Sequence, residues 1–175
     1  MTNALNMIES HKLAADAVAK FVFAGNAVFT VVSKKTNDRL TFKVELAKPR
    51  GCSCSNEEGA EDCAACVANK TDPRWFVKVM TGSDNESERS YSYIGFAVNE
   101  NGAKKFVYGF RKAKVAEDAK SVKVAKWFFG RLAVAGDVTA DAEVWHEGRC
   151  GRCAHRLTVP ESIETGLGPV CATRE

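Results

Sequence analysis

Apolar positions in the first part of the chain recur at helical spacing. Leu5, Ile8, Leu13, Ala17 and Phe21 mark one stripe, interrupted at Ser10 and His11, and predict a helix over residues 3–23. Gly25 and Asn26 are natural stop residues for it. Residues 27–33 (AVFTVVS) and 39–46 (RLTFKVEL) are rich in β-branched and aromatic side chains and predict two strands, with 34–38 as their hairpin turn. The pattern breaks over residues 49–72, where Gly, Ser and acidic residues surround four cysteines. It resumes with a strand at 74–80 (RWFVKVM), a polar loop at 81–90, and a second hairpin from 91–98 (YSYIGFAV) and 104–108 (KKFVY). A second helix follows over 118–134, with Val122, Ala125, Phe129 and Leu132 on its buried face and Gly136 as its stop. Residues 143–175 are dominated by Cys, Gly and turn formers. This order predicts an α+β fold: a four- to five-stranded antiparallel sheet flanked by two helices.

Composition narrows the class. With 45% apolar and 27% charged residues in 175, the chain can bury a core of ordinary size. No stretch approaches the roughly 20 apolar residues of a membrane span. The N-terminal segment mixes Glu9, Lys12 and Asp16 into its apolar pattern, unlike a signal peptide, so an intracellular, cytoplasmic protein with no membrane partner is expected. In a reducing compartment, seven cysteines point to metal binding rather than to a disulfide framework.

The cysteines fall in two clusters. Cys52-x-Cys54 and Cys63-x-x-Cys66 lie in the irregular stretch 49–72, and such a long loop inside a domain needs an organising centre. Two closely spaced pairs give the four soft donors of a tetrahedral zinc site, so this stretch reads as a zinc-knuckle insertion. A redox role for Cys63–Cys66 competes with this reading, as do incidental reduced thiols, but the setting lacks the βαβ context of a thioredoxin-like pair. In the tail, Cys150-x-x-Cys153 is followed by Cys171 after the turn-forming Gly166-Leu167-Gly168-Pro169. His146 and His155 both lie within reach as a fourth ligand. Two structural Zn²⁺ ions are therefore expected, with residues 1–140 forming the α+β domain and 141–175 a C-terminal zinc-binding module.

The tail resembles an uncharacterised family of zinc-ribbon-like domains encoded by phages, plasmids and actinobacterial genomes. The family pattern is H-x-G-R-C-x-x-C-G-R-x-L-T-x-P-x-S-I-x-x-G-x-G-P-x-C. His146, Gly148, Arg149, Cys150, Cys153, Leu157, Thr158, Pro160, Ser162, Ile163, Gly166, Gly168, Pro169 and Cys171 match it. Ala154 stands where the family has glycine, and His155 where it has arginine. The resemblance therefore implies His146, not His155, as the fourth ligand. Residues 24–44, 75–96 and the segment SVKVAKWFF are similar, more loosely, to the upstream part of the same phage-associated proteins. The Cys52–Cys66 stretch reads as an addition. The resemblance implies no activity.

Net charge is only +3, yet basic residues concentrate late in the chain. Arg111, Lys112 and Lys114 precede the second helix, which carries Lys120, Lys123, Trp127 and Arg131; Lys34 and Lys35 on the first hairpin extend the set. Such clusters neutralise phosphates, and an exposed tryptophan stacks on an unpaired base. Tyr91, Tyr93 and Phe96 offer further stacking surfaces, though strand alternation is expected to bury some of them. The expectation is a small phage- or plasmid-type zinc protein binding nucleic acid through this helix and hairpin, with no catalytic residues. Its alternative is a protein-interaction module acting on a host protein. No convergent nucleophile, base and orienting group points to an enzyme.

Overall fold

The computed structural model describes residues 11–48, 63, 64, 66, 67, 72–83 and 87–174. Expectations that rest on residues 3–10, and on Cys52 and Cys54, lie outside the described residues. The described elements are α1 (Ala15–Val22), β1 (Asn26–Ser33), β2 (Arg39–Leu46), β3 (Arg74–Met80), β4 (Tyr91–Glu100), β5 (Ala103–Tyr108), α2 (Lys120–Ala135), β6 (Ala142–His146), α3 (Pro160–Thr165) and α4 (Pro169–Ala172). The class is α+β.

The sheet has six strands in the order β5-β4-β3-β2-β1-β6, and every neighbouring pair is antiparallel. Strands β1 to β5 form a meander with the hairpins read from sequence. In the second hairpin Asn101 (φ 52°) and Gly102 (φ 84°) make the two-residue loop between paired Glu100 and Ala103. Both residues have the positive φ that a type I′ turn requires, which is why Asn-Gly closes it.

The sixth strand corrects the expected count of four to five. β6 is only AEVWH, and in sequence it merges into the cysteine-rich tail, but its burial alternates along the strand and it pairs with β1 from Phe29↔His146 to Ser33↔Ala142. The start of the predicted first helix is also corrected. Lys12 bridges Trp145, Leu13 N–H donates to Val144 O at 2.8 Å, and His146 N–H donates to His11 O at 3.0 Å. Residues 11–13 are therefore extended along β6, and the described helix begins at Ala15. His11 accordingly lies outside the helix, with its ring 4.9 Å from that of His146.

Helices α1 and α2 pack on one face of the sheet. Strand residues Phe29, Phe42, Val44, Val77, Ile94 and Val144 join Phe21, Val22, Val122, Phe128 and Phe129 in one buried cluster. The rings of Phe29 and Phe128 stack at 5.4 Å, and those of Phe106 and Phe129 at 5.6 Å. The buried face of α2 is the one expected, with Phe128 added to it.

The opposite face carries Thr41, Lys43, Glu45, Phe76 and Lys78, none of them buried. The 3-10 turn Glu88–Ser90 reaches over it through Glu88 contacts to Lys43 and Lys78. Within β4 the register against β3 shifts at Val77/Lys78: Val77 pairs with Gly95 but Lys78 with Tyr93, leaving Ile94 extra. This bulge turns Ile94 into the core, fully buried, and Tyr93 onto the open face beside Lys78.

Candidate metal centre

The tail is docked on the sheet domain through close backbone contacts. Asn26 N–H donates to Gly151 O at 2.6 Å, and Gly151 N–H to Gly166 O at 3.0 Å. The ring of Phe21 fills the space beside both glycines. A Cβ added at Gly166 would lie 2.3 Å from Phe21 Cδ2, and one at Gly151 would lie 2.8 Å from it. Gly166 also ends α3 at φ 70°, a conformation that glycine adopts without strain.

Around this anchor the chain turns at the Cys-x-x-Cys pair. Ala154 N–H donates to Cys150 O at 2.9 Å and Cys150 N–H to His155 O at 2.8 Å, with Ala154 at φ 61°. The knuckle needs a left-handed residue here, and alanine adopts that conformation at a cost that glycine would avoid. The short helix α4, opened by Pro169, brings Cys171 back to the pair.

The ligand atoms of Cys150, Cys153 and Cys171 all lie within 4.8 Å of one another. None of the three is in a disulfide. Zinc–sulfur bonds of about 2.3 Å in a tetrahedron place sulfurs about 3.8 Å apart, so the spacing suits three ligands of one such ion. Cys150 is buried, Cys171 half-buried and Cys153 exposed. Burial alone would raise the Cys150 thiol, but N–H groups of Gly168, Cys153 and Arg152 outweigh it and bring the pKa down to about 7. One of these donors, Gly168 N–H, lies 3.4 Å from Cys150 Sγ. Burial and the two neighbouring thiols push Cys171 up to about 11. A divalent cation would relieve that crowding, because it stabilises all three thiolates together.

His146, the ligand implied by the family resemblance, does not belong to this group. Gly148 N–H donates to its Nδ1 at 3.0 Å, and Nε2 lies 2.8 Å from Ile163 O. Both ring nitrogens are thus engaged by backbone, with the proton on Nε2. Burial, assisted by His11, pushes the pKa down to about 4 against the opposing effect of the Ile163 bond. A neutral His146 therefore bridges β6, the following turn and α3. His155 is exposed and meets Cys150 only through its backbone carbonyl. Gly168 N–H escaped the sequence reading, because a backbone donor leaves no residue-type signal.

In the mid-chain cluster, Cys63 and Cys66 are half-buried on one turn closed by Val67 N–H donating to Cys63 O at 3.0 Å.

The residues expected to bind nucleic acid fall in two places. Lys35, Lys120 and Trp127 line a cavity of about 340 Å³ between the first hairpin, α2 and β6, together with Asp38 and Asp141. Carboxylates answer most of the charge there: Lys120 pairs with Asp38 at 2.6 Å and Arg131 with Asp141 at 3.6 Å, while Lys34 Nζ donates to Thr139 O at 2.5 Å. The Lys120 hydrogen bond is the main cause holding the Asp38 carboxyl below its usual range. Arg111, Lys112 and Lys114 instead follow β5, an outer strand separated from the first hairpin by β3 and β4. Those three and Lys123 on α2 are exposed.

Comparison with known proteins bears on the tail. A family of unknown function, DUF6011, matches residues 140–175, the stretch that holds β6, His146 and all three thiols. Neither a curated protein nor a solved structure matches the chain. Among the described residues, no helix is long and apolar enough to cross a membrane.

Proposed function

We propose that residues 147–174 form a structural zinc module in which Cys150, Cys153 and Cys171 hold one ion that fixes the tail against α1 and β1. The observation that carries this reading is the convergence of the three thiols, one of them brought back from 18 residues beyond the Cys-x-x-Cys pair. The ion supplies cross-linking, since the tail's own buried cluster is Cys150, Leu157 and Leu167. Three thiolates leave one position of a tetrahedral zinc for a further donor. We assign the site no catalytic role: its sulfurs close a surface knuckle, and His146, a candidate base four residues before Cys150, has both ring nitrogens engaged.

Metal analysis of the purified protein tests this. Cys150→Ser and Cys171→Ser each lower the zinc content by one equivalent, whereas unchanged content in both variants would defeat the proposal. A second equivalent, lost in Cys63→Ser, belongs to the proposed Cys52, Cys54, Cys63 and Cys66 site. A wild-type content of one would remove that site.

For the whole protein we propose a zinc-stabilised nucleic-acid-binding role. Its support is the set of exposed cations at Arg111, Lys112, Lys114 and Lys123, for which no ion pair is formed among the described residues. The charges around the first hairpin support it less, because Asp38 and Asp141 answer them.

A further inference from the structure

Four non-glycine residues among those described have positive φ, and three have evident reasons. Asn37 and Asn101 close hairpins, and Ala154 turns the thiol knuckle. The fourth is Phe110, at φ 44° immediately after β5. For a bulky side chain this conformation is an outlier, and such residues cluster where the chain presents a side chain for use. Phe110 is 68% exposed, so no core contact explains the strain. Its ring meets only one other aromatic ring, that of Tyr108, edge-on at 5.6 Å.

The surroundings of Phe110 combine two chemistries. Gly109 lies under Tyr93, such that an added Cβ would sit 2.5 Å from Tyr93 Cε1, and Lys114 N–H donates to Tyr93 O at 2.9 Å. Tyr93 in turn meets Phe76 edge-on at 6.0 Å on the open sheet face, where Phe76 is 42% exposed. Tyr108, the ring that Phe110 meets, packs against the core on the helix-bearing side of the sheet, so Phe110 stands at the sheet's outer edge apart from the Phe76–Tyr93 pair, and Arg111, Lys112 and Lys114 follow it closely in the chain. The middle of the open face is nearly neutral, because Lys43 and Lys78 are shared between Glu45 and Glu88. Unanswered positive charge is therefore concentrated beside Phe110 at the end of β5.

We infer that single-stranded nucleic acid binds at the end of β5, a base stacking on Phe110 and its phosphates meeting Arg111, Lys112 and Lys114. The inference rests on the nucleic-acid reading above and moves the contact from the α2–hairpin surface to the end of β5. Aromatic rings beside a basic border select unpaired bases, since a duplex keeps its π-faces stacked internally. A protein ligand is disfavoured by the three adjacent cations, which match a polyanion.

The test uses the full chain, a labelled oligothymidylate of about 15 nucleotides and a duplex of equal length, followed by fluorescence anisotropy across a salt series. The single strand binds more tightly than the duplex. Phe110→Ala weakens it by about five- to a hundredfold with the salt slope preserved. Arg111→Ala with Lys112→Ala reduces the slope by about 0.7 for each phosphate that is no longer neutralised. Phe110→Trp retains the affinity and adds tryptophan fluorescence that the oligonucleotide quenches, a signature that a merely structural Phe110 would not give. Lys20→Ala, on α1, leaves affinity within about twofold. Absence of binding to either probe at low salt overturns the nucleic-acid reading altogether. Binding that survives Phe110→Ala but disappears in Lys123→Ala overturns only the placement, as does tighter duplex binding.

Discussion

In the sheet domain Phe21, Phe29, Phe42, Phe128 and Phe129 are all but inaccessible, and they interlock across one sheet face and two helices. In the tail the buried cluster is Cys150, Leu157 and Leu167, with Ala24 of the sheet domain, Ile163 and Cys171 packed around it. A cluster of three buried side chains is far too small to hold a fold by apolar burial alone. The tail is held instead by Phe21 wedged against Gly151 and Gly166, by the two ring nitrogens of His146, and by whatever joins the three thiols. One region is stabilised by area removed from water, the other by a few specific links. The two should therefore fail differently.

The largest effect is expected in the sheet domain. Phe128→Ala leaves a cavity under Phe29 and costs about 3–5 kcal/mol, lowering the urea midpoint for all strands together. If α2 amides alone lost protection in hydrogen exchange, the single shared core would be disproved. A smaller but more local effect is expected from Gly166→Ala. Its Cβ collides with a buried Phe21 ring and its backbone is left-handed, together costing about 2–4 kcal/mol. Exchange should rise over residues 147–174 with β2 to β4 little changed, and uniform destabilisation would show that tail and sheet are one cooperative unit. The smallest change is a gain. Ala154→Gly relieves the left-handed alanine, offset by added freedom in the unfolded chain, for a net stabilisation of about 0.5–1 kcal/mol. Slower exchange at residues 150–157 checks it, and no gain would mean that the knuckle carries no strain.

Much of the sheet domain was legible in the chain. β2 and β3 have the bounds their β-branched and aromatic runs predict, and the Asn101-Gly102 turn sits where its residues require. The thiol triad was legible too, because Cys-x-x-Cys followed by a Gly-Pro turn and a third cysteine is a local pattern that α4 completes. β6 was harder to see. Five residues running into a cysteine-rich segment carry little periodicity, and only β1 makes them a strand. His146 was legible as a residue with a specific partner, but its partners are the Gly148 N–H and the Ile163 carbonyl, which no residue pattern distinguishes from a metal.

From the sequence alone follow the α+β class, the two hairpins, the buried face of α2 and the cysteine pair with its distant third member, since each depends on residues close together in the chain or on simple periodicity. Tertiary structure decided the rest. Pairing across the sheet placed β6 beside β1, the Ile94 bulge moved Tyr93 to the open face, and the Ile163 carbonyl of α3 engaged the His146 ring. Each of these is fixed by contacts between residues far apart in sequence. The three thiols were written in the chain, but the partners of the His146 ring were fixed only when distant segments met.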